Sequence, residues 1–450
     1  MTAIYCADWV VPVVAPACAG GAVAVEGAHI VAVGARAEVC ARFPDARVTE
    51  FGAAALMPGL VNCHSHLELT VMRGYLEAEA ADFFAWLRKL TVARMFRMTA
   101  DDLRVSATWG AVEAARAGVT TLADAASDAA ASIAALRDVG LRGTVYQEVF
   151  GPDERMAREQ WAKSREQIEA LRGGETALVR VGVSPHAPYT VSAPLLELVT
   201  DYALAERRPL MMHAAESEAE TLLIRDGRGP FAADYARRGI EWHAPGVSPI
   251  QYLARVGVLR ARPLLAHCIR VDDADLETIK TSGASVAHCP KSNAKLGHGH
   301  APYHKFLALR HGLGSDSVAS NNTCDLLEEA RTALVAARAF APEALSALTA
   351  QQALFDATAG GAQALDNDDA QTGTLAVGRQ ADLIAVRLDG AHQLPVYDPV
   401  NALVFASTGR DCVFTMVAGR EIYRDGVVQT VDEERLRARV REIGARLAAA

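Results

Sequence analysis

Residues 56–66 read LMPGLVNCHSH, an apolar run that ends in two histidines one residue apart. On an extended segment, residues two apart project from the same side, so the imidazoles of His64 and His66 can reach one cation. The same punctuation recurs downstream. The short β-rich runs ALVRVGVSP, PLMMH, PLLAH, ASVAHCP and GLGSDS carry His186, His213, His267, His288 and Asp316 at or near their C-terminal ends. Together with LMPGLVN, GVTTLAD and LRGTVYQEVF they make eight strand candidates, separated by longer amphipathic stretches rich in Ala, Leu, Glu and Arg. That alternation predicts parallel βαβ units. Eight units in about three hundred residues suit a closed (β/α)8 barrel better than an open doubly wound sheet, and the C-terminal strand ends then form the catalytic rim.

Outside this region the texture changes. Near the start GAVAVEGAHIVAVG, and near the end TGTLAVGRQADLIAVRL and CVFTMVAGREIY, are short β-branched runs separated by glycines. They predict that both chain ends pair into one small β-sandwich. The expected organisation of this α/β chain is residues 1–57 as the N-terminal part of the β-domain and 58–369 as the barrel. Residues 370–450 then supply the rest of the β-domain plus a terminal helix, ERLRARVREIGARLAAA.

Composition narrows the function classes. With 450 residues, 51% hydrophobic and 22% charged, the chain has ample material for a core. A net charge of −9 with no Lys/Arg block argues against nucleic acid and anionic membranes as partners. No segment resembles a secretion signal or a bilayer span, so a cytoplasmic location is expected. Eight scattered cysteines without a CxxC pair read as reduced thiols. GxGxxG, GxxxxGK[ST] and GxSxG are absent, which removes the usual nucleotide-fold and serine-hydrolase signals.

His213 and Asp316 would complete, with His64 and His66, a shell of three imidazoles and one carboxylate with a position open for water. Such a set suits one divalent ion, Zn2+ first and Fe2+ or Mn2+ as alternatives. Glu216 follows His213 by three residues, so the turn leaving that strand can bring its carboxyl back to the mouth as a proton donor. His267 is placed to hydrogen-bond and orient the attacking water.

PGLVNCHSH, MMHAAE, LLAH, HCPKSNAKLG and GLGSDS, in this order, resemble the amidohydrolase superfamily over almost the whole chain. The nearest branch holds adenosine-type, S-adenosylhomocysteine and methylthioadenosine deaminases together with triazine hydrolases. The resemblance implies that His64, His66, His213 and Asp316 hold the metal, that Glu216 and His267 handle protons, and that Asp316 also takes a proton from the attacking water. It implies that Glu216 protonates a ring nitrogen while ammonia leaves the neighbouring carbon, and that His186 contacts the purine. Binuclear relatives carry a bridging carboxylated lysine after strand four, where this chain reads SPHAPY, so a single metal is expected.

The substrate is an adenosine derivative on this reading. Glu68 and Glu148, just past strands one and three, could accept hydrogen bonds from ribose hydroxyls. HSHLELT followed by DFFAWLRKL resembles aminodeoxyfutalosine deaminases, and Arg155 could pair with a substrate carboxylate. A triazine-type amino- or chlorohydrolase, another cyclic C–N hydrolase of the same superfamily, a dinuclear amide or lactone hydrolase and a non-catalytic barrel are the alternatives. The resemblance also allows a homodimer.

Overall fold

The computed structural model describes residues 1–366 and 371–449. The expected junction between 369 and 370 lies outside the described residues. The N-terminal segment forms β1 (Thr2–Val10), β2 (Cys18–Glu26), β3 (His29–Ala35), β4 (Arg47–Glu50) and β5 (Ala54–Pro58). Eight parallel strands follow: β6 (Leu60–Ser65), β7 (Val119–Ala126), β8 (Arg142–Val149), β9 (Val179–Pro185), β10 (Met211–Ala214), β11 (Leu264–His267), β12 (Ser285–His288) and β13 (Arg310–Leu313). The chain then returns to the first sheet through β14 (Leu383–Arg387), β15 (Cys412–Val417), β16 (Arg420–Arg424) and β17 (Val427–Val428).

Strands β6 to β9 and β10 to β13 pair in sequence order, and the parallel bridges Val183 to Leu210 and Ser65 to Asp316 join the two halves at both seams. The result is the (β/α)8 barrel. Its interior is filled by inward side chains of alternating size, with Tyr146 and Met211 set among Ala123, Ala125 and Ala287. Among the described residues no helix is long and apolar enough to cross a membrane.

Two of the strands read from sequence differ in extent. The run LMPGLVN is not one strand: Leu56 and Met57 belong to β5, which pairs with β1 and β14, whereas Leu60 opens the barrel. The break falls at Gly59, where an added Cβ would stand 2.1 Å from the Thr120 side chain. Only glycine lets the chain leave one sheet for the other so close to β7. In GLGSDS, β13 stops at Leu313. Gly314 packs where a Cβ would lie 2.9 Å from the His64 Cβ, and that approach lets the Asp316 amide donate to the His64 carbonyl at 2.9 Å.

The strands from both chain ends share one hydrogen-bonded sheet, closed in the middle by antiparallel pairing of β5 with β14. It folds into a small sandwich around Tyr5, Val23, Ile30, Leu56, Leu383 and Phe414. Arg142, at the foot of the barrel, donates to both oxygens of the fully buried Asp382 at 2.9 and 3.1 Å, anchoring barrel to sandwich. The terminal helix, Glu433–Ala448, buries Ile443 and Leu447 and pairs Arg446 with Asp102 of the helix Ala100–Arg116. All eight cysteines are free thiols, with Cys18 and Cys40 half-buried and the rest buried.

Candidate active site

The rim is organised outward from β6. Asp124, at the end of β7, accepts from the Ser65 hydroxyl and the Leu67 amide, both at 2.8 Å, which pins the segment bearing His64 and His66. Asn62 Oδ1 accepts the amides of His64 and Ser315 at 3.3 and 3.0 Å, tying β6 to the loop that carries Asp316. The Nε2 atoms of His64 and His66 consequently stand 3.4 and 3.5 Å from Asp316 Oδ1, and His66 Nε2 stands 3.3 Å from His213 Nε2. The second Asp316 oxygen accepts from Ser292 and Ser320, so Oδ1 is the one turned to the imidazoles.

These donors fit a divalent cation. His213 Nδ1 lies 2.8 Å from the His186 carbonyl, which can only accept, so Nδ1 carries the proton and Nε2 presents a lone pair. Burial pushes His64 down to about 4, and its buried Nε2 has no hydrogen-bond partner. Burial alone would raise Asp316, but the His64 imidazole 3.4 Å away and the other surrounding imidazoles hold it well below the usual carboxylate range. Imidazoles and a carboxylate 3.3–3.5 Å apart are spaced as donors about 2.0–2.2 Å from one shared ion would be.

Backbone strain marks the same rim. Ala215, His267, Cys268 and Asp316 all have positive φ, between 48° and 74°. Such conformations cost about 1–3 kcal/mol each and persist where the surroundings impose them. Here they turn side chains at the exits of β10, β11 and β13 across the barrel mouth.

Glu216 sits on the turn after β10, whose Ala215 and Glu216 amides donate to the Glu220 carboxylate at 2.8 and 2.9 Å. Burial, reinforced by the negative charge of Asp316, pushes Glu216 up to about 8, so it carries a proton at neutral pH. Its Oε1 lies 3.7 Å from His267 Nε2. His267 Nδ1 faces Asn293 Oδ1 at 2.9 Å, an acceptor, which puts the ring proton on Nδ1 and leaves Nε2 bare.

A cavity of about 630 Å3 opens above this cluster, with His186, Glu68 and Glu148 in its wall. Both Glu68 oxygens are engaged, by the Ser127 and Asp128 amides at 3.1 and 2.8 Å. Burial raises Glu68 to about 7, with Arg94 opposing. Glu148 accepts from the Ser127 hydroxyl through Oε2 at 2.6 Å, while its buried Oε1 has no hydrogen-bond partner. Burial would raise it too, yet His186, His66 and Arg94 hold it low. His186 Nδ1 pairs with Thr190 Oγ1 at 2.9 Å and its Nε2 lies 3.9 Å from Glu148.

Arg155 is not brought to this cavity. Its guanidinium, 67% exposed, forks onto Asp153 and reaches the Gly239 carbonyl. The arginines in the cavity wall are Arg88, Arg94, Arg237 and Arg238. Several residues around the site carried no mark in the sequence: Asp124, Ser292, His298 and Arg94. Asp124 shared the signal, since GVTTLAD ends in a carboxylate as other runs end in histidine. Arg94 lies within the helix Phe83–Arg97, and an arginine on a helix ordinarily faces solvent.

The sequence profile described as "Amidohydrolase family" matches residues 55–422, which takes in every donor described above. The chain belongs to the amidohydrolase family. This amidohydrolase is accordingly a hydrolase of carbon–nitrogen bonds, and the family uses a divalent metal. A second profile, "Imidazolonepropionase-like composite domain, bacteria", matches residues 21–46. A 5-methylthioadenosine/S-adenosylhomocysteine deaminase of Syntrophobacter fumaroxidans is 33% identical over 94% of this chain and 92% of its own length. An adenosine deaminase from Xanthomonas campestris, solved with bound zinc, superposes with a TM-score of 0.87 at 29% identity over 99% of this chain and 98% of that one. An aminofutalosine deaminase of Helicobacter pylori shares the fold, with a TM-score of 0.78 at 20% identity over 93% of this chain and 100% of that one.

Proposed function

We propose that the chain is a hydrolytic deaminase of an adenosine-type nucleoside, releasing ammonia from the aminopurine ring. The observation that carries this reading is Glu216: a buried carboxyl raised to about 8, beside three imidazoles and a carboxylate, at the floor of a cavity. The names of the relatives, deaminases of methylthioadenosine, S-adenosylhomocysteine and adenosine, support it.

His64, His66, His213 and Asp316 would hold one divalent ion, Zn2+ first. Bound there, such an ion activates water by lowering its pKa from 15.7 toward about 7. Asp316 takes a proton from the attacking water. His267, with Nε2 bare, accepts a hydrogen bond from that water and fixes its direction. Glu216 gives its proton to the ring nitrogen next to the amine-bearing carbon, which makes that carbon electrophilic as water adds. The proton gathered by Asp316 then serves the departing amine; ammonia leaves as the added hydroxyl becomes the product carbonyl, and the hydroxyl proton returns to Glu216 while the ring nitrogen keeps the one it received.

His186 orients the purine from the side of β9. Glu148, with Oε1 free of any hydrogen bond, accepts from a ribose hydroxyl, and Glu68 holds the loop behind it. A cavity of about 630 Å3 exceeds what bare adenosine fills, which favours a nucleoside extended at its 5′ position, such as methylthioadenosine, S-adenosylhomocysteine or aminodeoxyfutalosine. The wall there is aromatic, with Phe84 edge-on to Phe231 and Phe231 stacked on Tyr189.

The deciding experiment is ammonia release by the zinc-loaded protein across adenosine, those three derivatives and aminotriazines. Release confined to nucleosides supports the reading. Turnover of triazines alone, or chloride release from chlorotriazines without nucleoside deamination, overturns it.

A further inference from the structure

His298 lies just past the helix Pro290–Lys295, and its amide donates to the Asn293 carbonyl at 3.0 Å. Its ring stands edge-on to Phe83, with centroids 4.5 Å apart. The side chain is 7% exposed, and its buried Nε2 has no hydrogen-bond partner. That nitrogen lies 3.7 Å from Glu216 Oε1, the same oxygen that His267 Nε2 approaches at 3.7 Å. Glu216 Oε1 is thus flanked by two imidazoles, and Asn293 touches both, accepting from the His267 ring through its side chain and from the His298 amide through its backbone.

The two rings offer opposite chemistry. His267 has its proton on Nδ1, so the nitrogen it turns toward Glu216 is a bare lone pair. An ionised Glu216 needs a donor, and His267 cannot supply it without changing tautomer.

We infer that His298, in the tautomer with its proton on Nε2, is a positioning residue for Glu216: that N–H takes hold of Oε1 once the Glu216 proton has been delivered, keeping the second oxygen aimed at the ring nitrogen. The inference rests on the proposed deamination for its chemical consequence, while the contact itself stands on geometry alone. The groups facing Glu216 are His267, His298, Asp316, His66, Tyr189 and Cys289, with Glu220 behind its backbone. Those facing His298 are His267, Arg270 and Asp316. His298 stays neutral at working pH, because burial pushes it down to about 4, so it serves as a donor and not as a cation.

The test compares His298→Phe, which keeps the ring shape without a donor, with His298→Gln, whose amide restores an N–H near the Nε2 position. Glu216 is titrated in the metal-loaded proteins by the infrared absorption of its protonated carboxyl, assigned by its loss in Glu216→Gln. Without the donor the carboxylate loses a hydrogen bond, so His298→Phe should move the midpoint up by about one pH unit, and His298→Gln should return it toward wild type. In parallel, kcat of His298→Phe should fall about tenfold with KM within about twofold, and recover in His298→Gln. Equal midpoints in all three proteins overturn the inference, whatever the rates do. A wild type that deaminates no nucleoside sinks the proposed function, yet leaves the infrared comparison to decide the role of His298.

Discussion

The Nε2 atoms of His66 and His213 face each other at 3.3 Å, with the two rings 13° from parallel. Because the His186 carbonyl fixes the His213 proton on Nδ1, the His213 nitrogen in that pair is a lone pair. A buried lone pair aimed at a second imidazole and an adjacent carboxylate is stabilised by a cation between them. Elemental analysis should find one divalent ion per chain, lost in His213→Ala and in Asp316→Asn. Two ions per chain would count against the mononuclear reading and point to the neighbouring Glu148, His186 and His213 as a second donor set.

Glu216→Gln keeps the volume and removes the proton. It should retain the metal and the melting temperature while kcat falls about 100- to 10,000-fold, the usual contribution of a positioned general acid. Ammonia release within tenfold of wild type would take Glu216 out of the mechanism.

The pH profile follows from the direction of the Glu216 shift. Its acid form is the working one and its value is raised to about 8, so kcat should hold through neutrality and decline as pH rises through about 8. The same shift bears on stability with a definite sign. A carboxyl that binds its proton more tightly folded than unfolded adds stability that is complete below about 4.5 and lost as pH rises through about 8. Chemical denaturation of chelator-treated protein should therefore show a shallower fall between these limits in Glu216→Gln. An unchanged slope would mean that another group dominates.

Glu148→Gln tests ribose recognition. The variant should lower kcat/KM for a nucleoside about 10- to 100-fold and leave turnover of the free aminopurine base within about twofold. An equal loss on both substrates would make Glu148 a support for His186 and not a sugar contact.

Asp382→Asn addresses the joint between barrel and sandwich. The carboxylate is fully buried and receives a forked hydrogen bond from Arg142 plus the Ala418 amide at 2.7 Å. Breaking such a pair from one side costs about 3–5 kcal/mol, and a clear drop in the thermal midpoint is the expected outcome. A midpoint within a degree of wild type would show that the forked bond is dispensable.

The barrel and the residues at its rim were legible because each lies on a short apolar run that ends in a side chain with no place in a core. His64, His66, His213, His267 and Asp316 all follow that rule, and strand order then brings them together. What stayed hidden depends on contacts made across strands. His298 meets Glu216 only because the segment after β12 folds over the exit of β11. Arg94 comes from a helix whose apolar and polar residues are spread around its circumference, so its pattern does not show which polar side chain turns into a cavity. Arg155 failed to reach the site for a local reason, since Asp153, two residues away, supplies a nearer carboxylate. Residues 56–62 read as one strand because their side chains are nearly all apolar, although the Pro58–Gly59 pair is a turn signal and falls beside the expected boundary at 57 and 58.

The pairing of β5 with β14 has a consequence for how the chain is made. Ala54–Pro58 is apolar and wholly buried in the finished sheet, yet its antiparallel neighbour Leu383–Arg387 is synthesised only after the entire barrel. At about 5–20 residues per second, this edge waits on the order of tens of seconds for its partner. An unpaired apolar edge is a template for association with other chains. Nascent chains stalled anywhere before residue 383 should therefore be the aggregating species, and chaperone occupancy should concentrate on that interval of synthesis.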